Sequence, residues 1–225
     1  MQGEVYIKED ADKWFDRNDV NGGSHNCFTE YLLNIFPKAN LKTYDVAEFG
    51  VGSGNNINLL SHYINNIDGY DGSKKSINRI KDLSKIKNNI DGEVVNLGAH
   101  FDGIRKYDLI VFGFFTYMLT DIEFEILLEN SKKLLNEDGY IFIYDFLARE
   151  NSFSKDIHNE TLNIYKRNLK FYLEQFKDFD IIDYRLYDNR RLKDYMDSDN
   201  FFTIDTMIDK DDYNWTFSSL FKFRN

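Results

Sequence analysis

Two carboxylates and three glycines hold most of the chemical promise of this chain. In Tyr44 to Leu60, YDVAEFGVGSGNNINLL, the acid Glu48 stands two residues ahead of Gly50, and Gly50, Gly52 and Gly54 alternate through a turn. Glycines at such spacing let the backbone approach a ligand where any Cβ would collide, and the start of the following helix leaves N–H groups unpaired beside it. A small polar ligand is the expected occupant. About twenty residues beyond the turn, Asp71 closes the short apolar stretch Ile67-Asp68-Gly69-Tyr70. A carboxylate at the carboxyl end of a strand can accept hydrogen bonds from both hydroxyls of one ribose. The dinucleotide fingerprint is not met, because its sixth position is Asn55 rather than glycine. The four histidines lack H-x-x-x-H or H-E-x-x-H spacing, and neither a G-x-S-x-G elbow nor a phosphate-binding G-x-x-x-x-G-K-[ST] loop is present. A catalytic metal, a serine hydrolase and a P-loop kinase are therefore not expected.

These groups need elements to hold them. An apolar strand precedes the glycine turn and helical spacing follows it, with Ile57, Leu60, Tyr63 and Ile64 on one face of residues 55–66. Ser73 is placed to cap a helix over residues 74–87, and Asp71 is a weaker candidate for the same cap. Residues 93–97 predict a third strand. Residues 106–113 predict a fourth, apolar enough to be buried on both faces. Thr120 or Asp121 caps a helix over 122–135, and residues 140–146 (YIFIYDF) predict a fifth strand. Strands alternating with helices require right-handed crossovers and a parallel sheet. Ahead of them, residues 8–20 and 25–36 read as two helices, the second closed by Pro37. Behind them come a polar loop over 147–160, a helix over 161–176, a strand over 180–187, an acidic and aromatic excursion over 188–212, and a last strand over 213–223.

E-F-G-V-G-S-G resembles the first motif of the class I S-adenosylmethionine (SAM)-dependent methyltransferases. Y-D-G-S at Tyr70, Asp71, Gly72 and Ser73 matches the second motif, Tyr107-Asp108-Leu109-Ile110-Val111 the family's fourth strand, and L-L-N-E-D-G-Y-I-F-I the helix, turn and strand beyond it. The resemblance implies an α/β fold: a doubly wound, seven-stranded, mostly parallel sheet with a C-terminal antiparallel β-hairpin and N-terminal helices. It implies residues 1–40 as a helical lid and 41–225 as the SAM-binding domain; beyond the fifth strand the chain diverges, and residues around 147–212 are expected to form a cap. It assigns the ribose to Asp71 and the methionine part to Gly50, Gly52 and Gly54, with Glu48 fixing the turn and facing the methionine ammonium. The adenine register offers Asn96, Gly98, Ala99 or His100, and Asp102 falls late. Phe114 and its aromatic neighbours would lie beside the sulfonium, with Trp14 and Arg17 reaching in from the lid. Methyl transfer to an alcohol requires a base, for which Asp145 is the first candidate and Tyr117, His100 and His158 the others, whereas an amine need only be in its free-base form.

The formal charge of −10 over 225 residues disfavours nucleic acid as acceptor, since phosphate neutralisation needs a basic face. A single cysteine, Cys27, excludes an internal disulfide and fits a reducing compartment. The polar, acidic first residues do not read as a secretory signal, and no apolar run is long enough to span a membrane. The expectation is a cytoplasmic enzyme, monomer or homodimer, acting on a small molecule. Tyr, Asp and Asn residues within 145–212 lean the acceptor towards a sugar or nucleotide-linked sugar. The competing readings are an NAD(P)-dependent oxidoreductase on a Rossmann sheet and a non-catalytic SAM-binding interaction subunit.

Overall fold

The computed structural model describes residues 1–19, 27–188 and 215–224. The central sheet is built from β1 (Asp45–Phe49), β2 (Asn66–Asp71), β3 (Ile90–Val94), β4 (Tyr107–Gly113), β5 (Leu135–Leu147), β8 (Phe179–Asp188) and β9 (Trp215–Phe223), in the spatial order β3-β2-β1-β4-β5-β9-β8. The first five strands pair in parallel, while β9 runs antiparallel to both β5 and β8. This is the expected doubly wound sheet with its reversed C-terminal strand. The order changes direction at β1 and β4, so a crevice opens outside their carboxyl ends, where sheets of this kind bind ligands.

Each strand alternates its side chains between two helical layers. On one face Ala47, Phe49, Ile110, Phe112, Ile141 and Ile143 pack with Phe124 and Leu127 of α7 (Asp121–Leu134) and with Tyr172 of α8 (Leu169–Gln175). On the other, Val46, Ile67, Leu109, Val111 and Phe142 meet Leu32 of α3 (Cys27–Ile35), Ile57 and Leu60 of α5 (Asn55–Leu60), and Ile77 and Ile80 of α6 (Lys74–Ser84). Helix α3 thus belongs to a sheet-covering layer, followed by the short α4 (Lys38–Leu41). Two capping predictions hold in detail. Ser73 Oγ accepts from Ser76 N at 3.1 Å, and Thr120 with Glu123 forms a reciprocal capping box that starts α7.

Several boundaries differ from expectation. Residues 1–19 form two helices, α1 (Gln2–Glu9) and α2 (Ala11–Asp19), because Asp10 breaks the run and turns its buried carboxylate onto Arg17 at 2.8 and 3.1 Å. β3 begins at Ile90 and includes Gly92, whose missing Cβ would meet Ile80 at 2.8 Å. β5 begins at Leu135, with Asp138 taking φ +62° where a turn was expected. Residues 147–176 are the largest correction. In place of a loop and one helix, β6 (Ser152–Lys155) and β7 (Asn163–Lys166) form a separate hairpin, and Asn168 caps the shorter α8 by accepting from Phe171 N at 2.9 Å. Most of the predicted excursion over 188–212 lies outside the described residues. Among the described residues, no helix is long and apolar enough to cross a membrane.

Candidate functional site

Gly50, Gly52 and Gly54 all take positive φ, at +76°, +51° and +77°. A Cβ on Gly50 would meet Phe115 at 2.6 Å, and one on Gly113, at the end of β4, would meet the Gly50 carbonyl oxygen at 2.8 Å and Glu48 Oε1 at 3.1 Å. The turn therefore closes against β4 without side chains between, which requires glycine at both places.

Beneath the turn, Glu48 is fully enclosed. Its Oε1 accepts from Asn56 Nδ2 at 3.3 Å, while its Oε2 has no partner, and neither has Asn56 Oδ1. Burial lifts the Glu48 carboxyl from 4.5 to about 8. At the end of β2, Asp71 accepts from Gly52 N at 3.1 Å through Oδ2 and from Ser73 N at 2.8 Å through Oδ1, which ties one oxygen to the glycine turn and the other to the start of α6. Burial raises its carboxyl to about 6, with those backbone donors opposing the rise.

Around these groups runs a cleft that is partly open to solvent. Gly50, Gly52, Asp71 and Gly72 form one side, Asn96 to Gly98 another, and Phe114, Phe115 and residues 117–119 a third. The roof is Gly3, Tyr6 and Ile7 of α1 with Trp14 of α2. The roof is stitched down at both ends. Gly3 N donates to Glu123 Oε1 at 2.8 Å, and Gln2 Nε2 donates to the carbonyls of Met118 and Asn163 at 2.6 and 2.8 Å. Asp12 Oδ1 accepts from Ser73 Oγ at 2.7 Å and Lys75 N at 3.1 Å, and Lys75 pairs with Asp16 at 2.6 Å.

The predicted residues divide. Gly50, Gly52, Asp71, Gly72, Gly98, Phe114, Tyr117 and Trp14 line one cleft, with Glu48 below it. Gly54 instead caps α5 and packs against Ile80, and Ser73 caps α6. Ala99 is half-buried outside the lining. His100 is exposed, with Nδ1 3.3 Å from Asn130 Oδ1, and His158 lies exposed on the loop beyond β6. Arg17 pairs with Asp10 and is not among the residues that line the cleft. Asp145 is wholly buried, accepting from Thr116 Oγ1 and, at 2.6 Å, from Phe146 N, and burial lifts its carboxyl to about 7.

Sequence reasoning missed the roof residues of α1 and one buried cation. Arg167 donates to Asp121 Oδ1 and the Thr116 carbonyl, each at 3.0 Å, and to the Leu119 carbonyl, with its guanidinium against Phe124, Tyr165 and Phe171. It pins the short 3-10 turn Thr116–Met118 that walls the cleft. A lone arginine after a β-rich tetrapeptide gives no sequence signal of this. At the ends of β4 and β5, the rings of Phe114, Tyr117 and Phe146 touch in a triangle, with centroids 5.3, 4.9 and 5.2 Å apart. Phe114 adopts φ +59°, which is uncommon for a non-glycine residue.

Three solved structures illustrate the company this fold keeps. The 1,6-didemethyltoxoflavin-N1-methyltransferase of Burkholderia thailandensis, determined with its substrate and S-adenosylhomocysteine, is 12% identical with a TM-score of 0.64, covering 84% of this chain and 76% of its own. N-methyltransferase NodS of Bradyrhizobium japonicum, in complex with S-adenosylhomocysteine, is 12% identical with a TM-score of 0.57, covering 87% and 92%. A SAM-dependent methyltransferase of Clostridium acetobutylicum is 14% identical with a TM-score of 0.61, covering 99% and 97%. No curated protein matches the chain by sequence. The methyltransferase-domain family profile matches residues 24–205, most of the chain. With its glycine turn, strand-end aspartate and reversed last strand, the chain belongs to the methyltransferase-domain family and is a class I SAM-dependent methyltransferase.

Proposed function

We propose that the protein transfers a methyl group from SAM to a nitrogen of a small molecule. The observation that carries the donor half is the unpartnered Oε2 of buried Glu48 beside a glycine turn with no side chains in the way. A buried carboxyl oxygen left without a partner costs on the order of 1–3 kcal/mol, and the methionine ammonium supplies one as the carboxyl gives up its proton. Asp71 takes the ribose hydroxyls, and Asn96, Leu97 and Gly98 flank the adenine. Bound there, SAM supplies an electrophilic methyl on a sulfonium: as the acceptor's lone pair bonds to that carbon, the carbon–sulfur pair stays on sulfur and any displaced proton passes to water. The protein's share is alignment and exclusion of water.

The choice of nitrogen follows from the cleft. Similar structures include N-methyltransferases and an O-methyltransferase, so the fold leaves the acceptor atom open. Among the described lining residues, the titratable groups are Tyr6, Asp71 and Tyr117. Burial raises both phenols well above their ordinary value, and Asp71 is committed to the ribose. An alcohol would lack a base there, while a neutral amine or ring nitrogen needs none. Asp145, shut away under Thr116, serves as a positioning group in this reading. The sugar reading draws on residues 145–212, of which 189–212 lie outside the described residues, and the described lining favours aromatic over polyhydroxylated acceptors. We take residues 1–19 as the lid, with Trp14 over Gly52 at its centre, since α3 is built into the sheet layer.

The test is incubation with SAM and matched amine, alcohol and nucleotide-sugar panels, following S-adenosylhomocysteine. Turnover on amines alone supports the assignment, turnover on alcohols or nucleotide sugars alone overturns the nitrogen assignment, and binding without any turnover would favour a non-catalytic subunit.

A further inference from the structure

We propose that the rings of Phe114, Tyr117 and Phe146 form the acceptor platform, and that it selects a nitrogen in or on a flat aromatic ring over an alkyl amine. This rests on the methyl-transfer reading above.

Position comes first. The three residues lie past the carboxyl ends of the adjacent parallel strands β4 and β5. Phe114 and Tyr117 also line the donor cleft, whereas Phe146 lies beyond it, so the rings lead out of the cleft sideways. Reacting atoms must come within about 3–3.5 Å. With one side of the donor fixed by the glycine turn and another by Asp71, the aromatic wall is the surface along which an acceptor can reach the methyl group.

Shape comes second. The rings are half-buried and mutually tilted at 60°, with Tyr144 supporting Phe114 from behind at 5.1 Å. Phe114 holds its left-handed backbone because its surroundings over-determine it. What that conformation gives is a ring turned against Tyr144 and Phe146. Such backbone outliers cluster at ligand clamps.

Charge comes third. Lys166 Nζ stands 5.5 Å from the centroid of Phe146. That ammonium lies over the ring face and so already holds the position an alkylammonium ion, the form most alkyl amines take at neutral pH, would seek there. An aromatic ring nitrogen is weakly basic, so it arrives neutral with its lone pair free.

The experiment uses the full chain saturated with S-adenosylhomocysteine, titrated at neutral pH with quinoline, with its saturated counterpart decahydroquinoline, and with glucosamine. The expected result is quinoline binding at least tenfold tighter than the other two. Phe146→Ala should weaken it at least tenfold, while Phe146→Tyr, which keeps a ring, should restore it. S-adenosylhomocysteine affinity should be unchanged in both variants, which also shows that they fold. Equal or tighter binding of decahydroquinoline or glucosamine, no binding of quinoline, or indifference to Phe146→Ala overturns the platform while leaving the donor site standing. Failure of the unaltered protein to bind S-adenosylhomocysteine would sink the donor reading first and the platform with it.

Discussion

Replacing Glu48 by Gln tests the donor site more sharply than any other single change. In the folded protein this carboxyl titrates at about 8 against 4.5 in the unfolded chain, because burial with one weak hydrogen bond disfavours its charge. The native state thus holds a proton that the unfolded state releases, so wild-type stability falls as pH rises from about 5 to 8. At about 1.36 kcal/mol per unit over roughly three units, the loss approaches 4 kcal/mol, undiscounted because the group is enclosed. The substituted side chain carries no titrating proton, and its amide finds the unpartnered Asn56 Oδ1 as acceptor once that side chain turns over. Urea denaturation of both proteins at several pH values should show Glu48→Gln gaining on wild type steadily up to pH 8 and levelling above it. The same substitution should weaken S-adenosylhomocysteine roughly tenfold to a hundredfold, the worth of a charge-assisted hydrogen bond. Wild-type binding near pH 6.5 should release close to one proton, seen by calorimetry in buffers of different ionisation enthalpy. A stability gap independent of pH, or binding without proton release, would refute the reasoning.

Three further outcomes are expected. Gly52→Val forces a β-branched residue to φ +51° with its Cβ 3.2 Å from Trp14, and should abolish S-adenosylhomocysteine binding by calorimetry while circular dichroism retains the fold. Asp12→Asn removes the charge that receives Ser73 Oγ and Lys75 N, and should speed S-adenosylhomocysteine release about threefold to tenfold in stopped-flow measurements, with little change in melting temperature. Arg167→Met leaves the buried Leu119 carbonyl without its donor and the Thr116 carbonyl with only Leu119 N, and should cost about 2 kcal/mol in urea denaturation; Arg167→Lys should recover less than half, since one ammonium cannot reach Asp121, Thr116 and Leu119 together.

What the sequence disclosed was local and strongly encoded. The caps Ser73 and Thr120 act through neighbours three residues on, the three glycines through their own positive φ, and the aspartate at the end of β2 through its place at a strand end, so spacing alone reveals them. The same is true of β4, whose unbroken apolar run leaves little choice. What stayed hidden depended on distant partners. Asp10 breaks the N-terminal helix because Arg17 and a buried site receive it, and nothing in KEDADKW announces that. Leu162, Tyr165 and Leu169 keep helical spacing, yet residues 163–166 pair with β6 and the helix waits for Asn168. Asp145 reads as a strand-end base by position, but Thr116 and the β5 backbone claim its oxygens. Arg167 is invisible for the same reason: its meaning lies in carbonyls 48 and 51 residues earlier.

The placement of β9 between β5 and β8 sets an order for biosynthesis. As the polypeptide leaves the ribosome, β5 and β8 emerge with facing backbone edges and nothing to fill the slot, which opens to strand insertion from any other nascent molecule. Only residues 215–223 close it, by bonding to both sides at once. A chain interrupted before Trp215 would therefore carry two sticky margins, and its fate would be clumping or proteolysis rather than partial activity.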